Sequence, residues 1–254
     1  MSDLTGKTVL VTGASRGIGA ATATALVDAG AAVIAHFGSH RDGASEAVAR
    51  APEGRKLLVQ ADLAQPGSAR SLWQAALAWN GRVDVVVANA AIAPETPFDG
   101  SDDEWDAGWE STLRVNVLEP ASLIREAVNH FRANGGGILI TLSSWSAQQG
   151  SAIAQLSAYA ASKAAVKAVT QTVARNYARD GVLAYVVAPG IVRTRMSEIS
   201  AEARGGIDAV NAFLAMGEMV PAEEVAALIA FLATGVCRHL TGATLDVNGA
   251  SYVR

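Results

Sequence analysis

Across 254 residues the composition is 50% hydrophobic, 6% aromatic and 17% charged, which is enough apolar material for one buried core, since α/β folds reach roughly 250 residues as a single unit. A formal net charge of −4, with 20 Lys and Arg scattered among 24 Asp and Glu, argues against nucleic-acid and anionic-membrane partners. The lone Cys237 excludes an internal disulfide, no zinc-type Cys/His spacing is present, and no stretch nears the ~18 apolar residues of a membrane span.

The N-terminus MSDLTGKTVLVTGAS carries an acid where a signal peptide wants bases, and its apolar run stops at Gly13. The expectation is a soluble, cytoplasmic protein without a metal site. The first predicted strand, TVLVT at Thr8 to Thr12, runs into TGASRGIG at 12–19 and an apolar-periodic helix from Ile18 to Ala29, stopped by Gly30. Gly13, Gly17 and Gly19 have the spacing G-x-x-x-G-x-G. Glycines between a strand and a helix let the turn bend tightly and let a pyrophosphate approach backbone N–H groups at the positive end of the helix. Gly13, Ser15, Arg16, Gly17, Ile18 and Gly19 are therefore the expected dinucleotide cradle. The Lys-Ser/Thr of a phosphate-hydrolysing loop is missing.

The second strand, AAVIAHF, ends at Phe37, the position where NAD binders place a carboxylate on the adenosine ribose. Here Phe37, Gly38, Ser39, His40 and Arg41 offer no acid. A 2′-phosphate suits Arg16 aided by Ser39 and by His40 or Arg41, so NADP(H) is expected over NAD(H). After the third strand, KLLVQ at 56–60, Asp62 and Leu63 either hold the adenine or cap the next helix, with Pro66 in its first turn and Gly81 at its end.

The fourth strand, VDVVVAN, ends at Asn89, the fifth is GILITL at 137–142, the sixth LAYVVA at 183–188 and the seventh TLDV at 244–247. Continuous apolar strands alternating with helices predict a doubly wound parallel sheet in a single domain, 1–254. Helices are expected around Asn116 to Phe131 and over Ser157 to Arg179, the latter followed by Gly181. On that second helix Tyr159 and Lys163 lie one turn apart on one face. An ammonium beside a phenol, whose free pKa is ~10, favours the phenolate and makes a tunable acid/base. The loop Ser143-Ser144-Trp145-Ser146 follows the fifth strand, at the sheet edge where such folds bind ligands, and a hydroxyl there can donate to a developing alkoxide.

TGASRGIG, Asp62-Leu63, ANAA at 88–91, Asn116, Ser144, YAASK at 159–163, Pro189-Gly190 and TGATLDVNG together resemble the short-chain dehydrogenase/reductase family, in its ketoacyl-reductase-like branch, over nearly the whole chain. The resemblance implies a seven-stranded Rossmann fold flanked by helices, a nicotinamide cofactor, hydride transfer between a carbonyl and an alcohol, and a homotetramer. It implies that Tyr159 protonates the carbonyl oxygen, that Lys163 lowers the Tyr159 pKa and holds the nicotinamide ribose, that Ser144 polarises the carbonyl, and that Asn116 holds a water linking Lys163 to solvent. By the same resemblance Asn89 and Ala90 line the cofactor, and Pro189, Gly190, Val192 and Thr194 meet the carboxamide or pyrophosphate.

Two features depart from the family pattern. The family's Asn-Asn-Ala-Gly reads Ala88-Asn89-Ala90-Ala91, so a methyl replaces the last glycine's hydrogen. Ser144 precedes Tyr159 by 15 residues where 13 is usual, and that usual spacing selects Ser146; aligning Ser144 places a two-residue insertion within Ser151 to Ser157. Trp145, Ser146, Gln148 and Met196 are the expected substrate contacts, and the irregular segment 191–220, before the helix opened by Pro221, is the expected lid. A small or medium ketone, keto ester or polyol-like substrate stays open. So do a catalytically idle dinucleotide-binding sensor or scaffold and a dehydratase or epimerase on the same scaffold.

Overall fold

The computed structural model describes residues 2–202 and 205–253. Its seven strands are β1 (Thr8–Val11), β2 (Ala32–Phe37), β3 (Lys56–Gln60), β4 (Val85–Ala88), β5 (Gly137–Leu142), β6 (Val182–Pro189) and β7 (Thr244–Val247). All pair in parallel, in the order β3-β2-β1-β4-β5-β6-β7. The helices between them are α1 (Gly17–Asp28), α2 (Arg41–Ala47), α3 (Ser68–Asn80), α4 (Asp102–Leu113), α5 (Glu119–Ala133), α6 (Ser146–Gln149), α7 (Ser157–Tyr177), α8 (Arg195–Glu202), α9 (Ile207–Phe213) and α10 (Ala222–Thr234).

Strand alternation divides the core into two layers. Val9, Val11, Val33, Ala35 and Phe37 face Ala23 and Leu26 of α1, Ala44 and Ala47 of α2, and Val225 and Ile229 of α10. Leu10, Ile34, Val86 and Leu139 face Leu72 and Trp73 of α3, Leu123 and Phe131 of α5, and Val173 of α7. Both faces of β1 are buried, as its unbroken apolar run requires. Strand order reverses beside β1, which pairs Val11 with Ala35 on one side and with Val87 on the other. The chain leaves β1 and β4 toward opposite layers and opens a crevice at their carboxyl ends.

Three expectations about elements are corrected. Pro66 lies in the turn before α3, not in its first turn; α3 starts at Ser68 after Gly67, whose φ is +86°. A residue 50 positions on sets that start: the carboxylate of Glu119, only 2% exposed, accepts from the N–H groups of Gly67 (3.0 Å) and Ala69 (2.9 Å). The long helix around Asn116 is interrupted, with a π-helical turn over Arg114–Leu118 between α4 and α5. The segment 191–220 is less irregular than predicted, since it folds into α8 and α9 and is closed at its neck by a parallel bridge between Val192 and Val220. Among the described residues, no helix is long and apolar enough to cross a membrane.

Glu119 joins α3 to the π turn through charge-assisted hydrogen bonds and a 3.7 Å contact with Arg114. Glu119→Ala leaves the N–H groups of Gly67 and Ala69 without acceptors and is expected to lower unfolding free energy by about 3 kcal/mol in urea melts. A change under about 0.5 kcal/mol removes Glu119 as the determinant of that helix start.

Candidate active site

The glycine loop is held from both sides. Asn89, after β4, donates from Nδ2 to the carbonyls of Thr12 (2.9 Å) and Gly13 (3.2 Å), while the Thr12 hydroxyl accepts from the N–H groups of Asn89 and Ala90. From β2, the His36 carbonyl accepts from Ala14 N–H (2.8 Å) and His36 Nδ1 from Gly13 N–H (3.1 Å). A Cβ on Gly19 would lie 2.0 Å from the Gly13 carbonyl oxygen, so α1 packs against the loop only because residue 19 is glycine.

The start of α1 suits an anion. Arg16 precedes the helix without a side-chain cap, no acid stands in the first turn, and among the described residues no acceptor meets the N–H groups of Gly17, Ile18 and Gly19. The exposed Arg16 guanidinium hydrogen-bonds His40 Nε2, and neither Arg16 nor Arg41 forms an ion pair among the described residues. These residues fit a dinucleotide.

Phe37 does not fit the role expected of it. It shares a strand face with Val33 and Ala35, and its side chain is buried in the core on the α1 side. The open position at this end of β2 is Gly38, where a Cβ would meet nothing within 4 Å, followed by the exposed Ser39. Asp62 does not cap α3: its carboxylate accepts from Ala64 N–H (3.0 Å) and so closes the turn after β3, with Leu63 buried beside it.

At the ends of β5 and α7 the residues proposed for chemistry converge. Lys163 is 5% exposed; its Nζ donates to the Leu142 carbonyl (2.8 Å) and sits 5.6 Å from the Tyr159 ring centroid. The Ser143 hydroxyl donates to the Lys163 carbonyl (2.9 Å), tying strand to helix. Burial pushes the Tyr159 phenol above its ordinary pKa, and its hydrogen bond with the Ser144 hydroxyl pulls the other way. Burial is the larger influence, so the net shift of the phenol is upward. Lys163 itself is desolvated, and burial brings its pKa down to about 8.

Ser144, not Ser146, faces Tyr159. Ser146 starts α6, where its N–H donates to Ser144 Oγ (3.2 Å) and so helps hold that hydroxyl. Asn116 lies in the π turn; its Oδ1 accepts from Ile92 N–H (2.9 Å), and its Nδ2 donates to the Ile92 carbonyl (2.8 Å) and to Ser162 Oγ (3.0 Å). Its two N–H donors are thus committed to protein. Beside it, a cavity of about 10 Å³ is lined by Asn116, Lys163, Leu142 and Thr141, among others, which is the room one water centre needs.

A family model described as enoyl-(acyl carrier protein) reductase matches residues 13–250. The crystal structure of a short-chain type dehydrogenase/reductase from Mycobacterium marinum matches with a TM-score of 0.89 at 28% identity, covering 99% of this chain and 98% of that one. The chain belongs to the short-chain dehydrogenase/reductase family. A 3beta-hydroxysteroid dehydrogenase from Eggerthella lenta is 36% identical, over 97% of this chain and 94% of its own. A cis-4-hydroxycyclohexanecarboxylate dehydrogenase from Sinomonas cyclohexanicum is 36% identical, over 96% and 95% respectively. A 3-oxoacyl-[acyl-carrier-protein] reductase from Salmonella typhimurium is 34% identical, over 98% of each chain.

In this short-chain dehydrogenase/reductase, Ala91 in place of the family's glycine keeps a negative φ, so its methyl costs no left-handed strain. Gly190 is held tightly, since a Cβ there would lie 2.8 Å from Asn248 Cβ. Thr194 sits against Gly17, and its hydroxyl and that of Ser197 cap the start of α8. The Val192 carbonyl accepts from Ser197 Oγ (2.5 Å). On the substrate side Gln148 is corrected: its amide donates to Asp246 (2.8 Å) and accepts from Lys167 (3.3 Å), a strut from α6 to β7 and α7. Trp145 packs against the small core of the 191–220 segment formed by Ala201, Val210, Leu214 and Met219. Met196, on α8, is half exposed.

The lowered Lys163 pKa has a thermodynamic sign. Between pH 8 and 10.5 the unfolded chain holds the proton that the fold has released, so stability rises with pH across that window, and below pH 8 the full cost of burying the charge, about 3 kcal/mol, is present. The difference in unfolding free energy between wild type and Lys163→Met should therefore climb by about 2 kcal/mol in favour of wild type from pH 7 to pH 10. Urea melts at both values measure it, and a flat difference overturns the assignment.

Proposed function

We propose that this chain is an NADP(H)-dependent oxidoreductase that moves hydride between the nicotinamide and a carbonyl or secondary alcohol, with Tyr159 as the general acid/base. The observation that carries this reading is the meeting of the Ser144 hydroxyl and the Lys163 ammonium at Tyr159, on the sheet edge that also holds the uncapped start of α1. Bound there, the cofactor supplies or accepts the hydride. Tyr159, its pKa raised by burial, stays protonated at neutral pH and gives its proton to the carbonyl oxygen; Ser144 donates a hydrogen bond to the same oxygen. Lys163 stabilises the phenolate that results and holds the ribose hydroxyls. The cavity beside Asn116 and Lys163 has room for a water that would relay a proton from solvent to restore the phenol.

Arg16, Ser39, His40 and Arg41, without a carboxylate among them, support NADP(H) over NAD(H). Asn89, Ala90, Gly190, Val192 and Thr194 complete the nicotinamide side, and Asp62 and Leu63 the adenine side. Two of the three named relatives are dehydrogenases of ring alcohols by name, and the 191–220 segment exposes Met196, Ile199, Phe213 and Met216. An alicyclic ketone or alcohol is the substrate class this favours, with the segment as its lid. We also propose a homotetramer that pairs α5 and α7 between subunits, which a monomer mass in light scattering would refute.

The test is NADPH and NADH oxidation against cyclic ketones and keto esters. Tyr159→Phe is expected to abolish turnover and Ser144→Ala to cut it by about 10²-fold or more, with Ser146→Ala close to wild type. Arg16→Ala should raise the KM for NADPH by about tenfold and leave that for NADH nearly unchanged. A loss in Ser146→Ala larger than in Ser144→Ala, or equal KM shifts for the two cofactors, overturns the corresponding assignment.

A further inference from the structure

His36 is 2% exposed, lies outside every motif in the sequence and takes no part in the proposed chemistry, yet both of its ring nitrogens are used. Nδ1 accepts from Gly13 N–H at 3.1 Å, and Nε2 lies 3.0 Å from the Ala61 carbonyl oxygen, an acceptor only. A backbone N–H on one nitrogen and a carbonyl on the other leave one arrangement: a neutral ring with its proton on Nε2. Imidazolium would set Nδ1–H against the Gly13 N–H. The desolvation that lowers the His36 pKa acts in the same sense.

The two contacts fall at opposite ends of the cradle. Gly13, with φ at +70°, opens the loop that leads to the bare N–H groups of α1. Ala61 precedes Asp62 and Leu63, and its own N–H donates to the Phe37 carbonyl (3.0 Å). One side chain from β2 therefore fixes the β1 loop against the end of β3. Asn89 grips the carbonyls of Thr12 and Gly13 from the β4 side; His36 is its counterpart on the other side and takes the Gly13 N–H.

We propose that His36 is a positioning residue for dinucleotide binding, its Nδ1 holding the glycine loop in the shape that presents the start of α1 to the pyrophosphate. This rests on the reading of residues 12–19 as the cofactor cradle. It assigns the effect to one acceptor atom, not to the volume of the ring.

Two substitutions separate the contacts. In His36→Asn the side-chain oxygen can take the place of Nδ1, keeping the Gly13 acceptor and losing the Ala61 contact; His36→Gln reaches Ala61 and loses the acceptor for Gly13, and His36→Leu loses both. The Kd for NADPH, by fluorescence titration, should rise about tenfold in His36→Gln and His36→Leu and stay within about threefold of wild type in His36→Asn. At saturating cofactor kcat should be unchanged, and in the cofactor-free proteins exchange of the Gly13 amide should quicken in His36→Gln but not in His36→Asn. Wild-type affinity and Gly13 protection in His36→Gln overturn the proposal. So does a loss in His36→Asn as large as in His36→Leu that follows melting temperature, because the role is then only structural. A wild-type protein that binds neither NADPH nor NADH overturns the cradle reading itself, whatever Gly13 exchange shows.

Discussion

The side-chain amide of Asn116 connects three elements on which the Tyr159 half of the crevice is built. Its oxygen and one N–H grip the backbone of Ile92 in the segment after β4, and its other N–H reaches Ser162 on α7, directly before Lys163. A regular helix closes its own hydrogen bonds with an i→i+4 ladder; the π turn around Asn116 widens that ladder where the side chain must reach both neighbours. Buried at 2% exposure, the amide would pay a desolvation penalty for any partner lost, so the positions of Ile92, Ser162 and the π turn constrain one another. Glu119 continues the constraint outward by fixing the start of α3 from the first residue after the turn.

Burial drives both ionisable groups of the proposed Tyr-Lys pair toward neutrality. The phenol is pushed up and the ammonium down, because each loses hydration on its charged form. The pair is thus suited to giving a proton at neutral pH, with Tyr159 protonated and Lys163 close to its own midpoint. Residue type and helical spacing disclose that Tyr159 and Lys163 meet; they do not disclose how much water surrounds them. The net upward shift of the phenol follows from that burial, which residue type and spacing do not show.

The same division runs through the fold. Strands were legible because β1, β4 and β6 read as unbroken apolar runs, and the glycine loop because a Cβ at residue 19 has no space. What escaped depends on contacts distant in sequence. The start of α3 is set by Glu119, the amide of Gln148 is occupied by Asp246 and Lys167, and Phe37 points to the core because it alternates with His36. That alternation was available to read: if Val33 and Ala35 face one layer, His36 must face the other. A polar residue in the last turns of a buried parallel strand, one step from the crevice, was the signal for His36 that no motif carries.

The 191–220 segment has a different balance from the rest of the molecule. Its two helices bury Ala201 and Val210, whereas α10 buries seven residues over a similar stretch of chain, and its small core rests on Trp145 beside Ser144. The bridge between Val192 and Val220 fixes the neck, so opening of the segment need not disturb β6. Phe213 at 76% and Met216 at 68% exposure leave apolar surface in water. Low local burial is the physical condition for a segment that opens at small cost, and uncovered apolar side chains give it a reason to close on an apolar surface. The proposed alicyclic substrate has such a surface. Lid closure and substrate selection would then draw on the same free energy, that of removing those side chains from water.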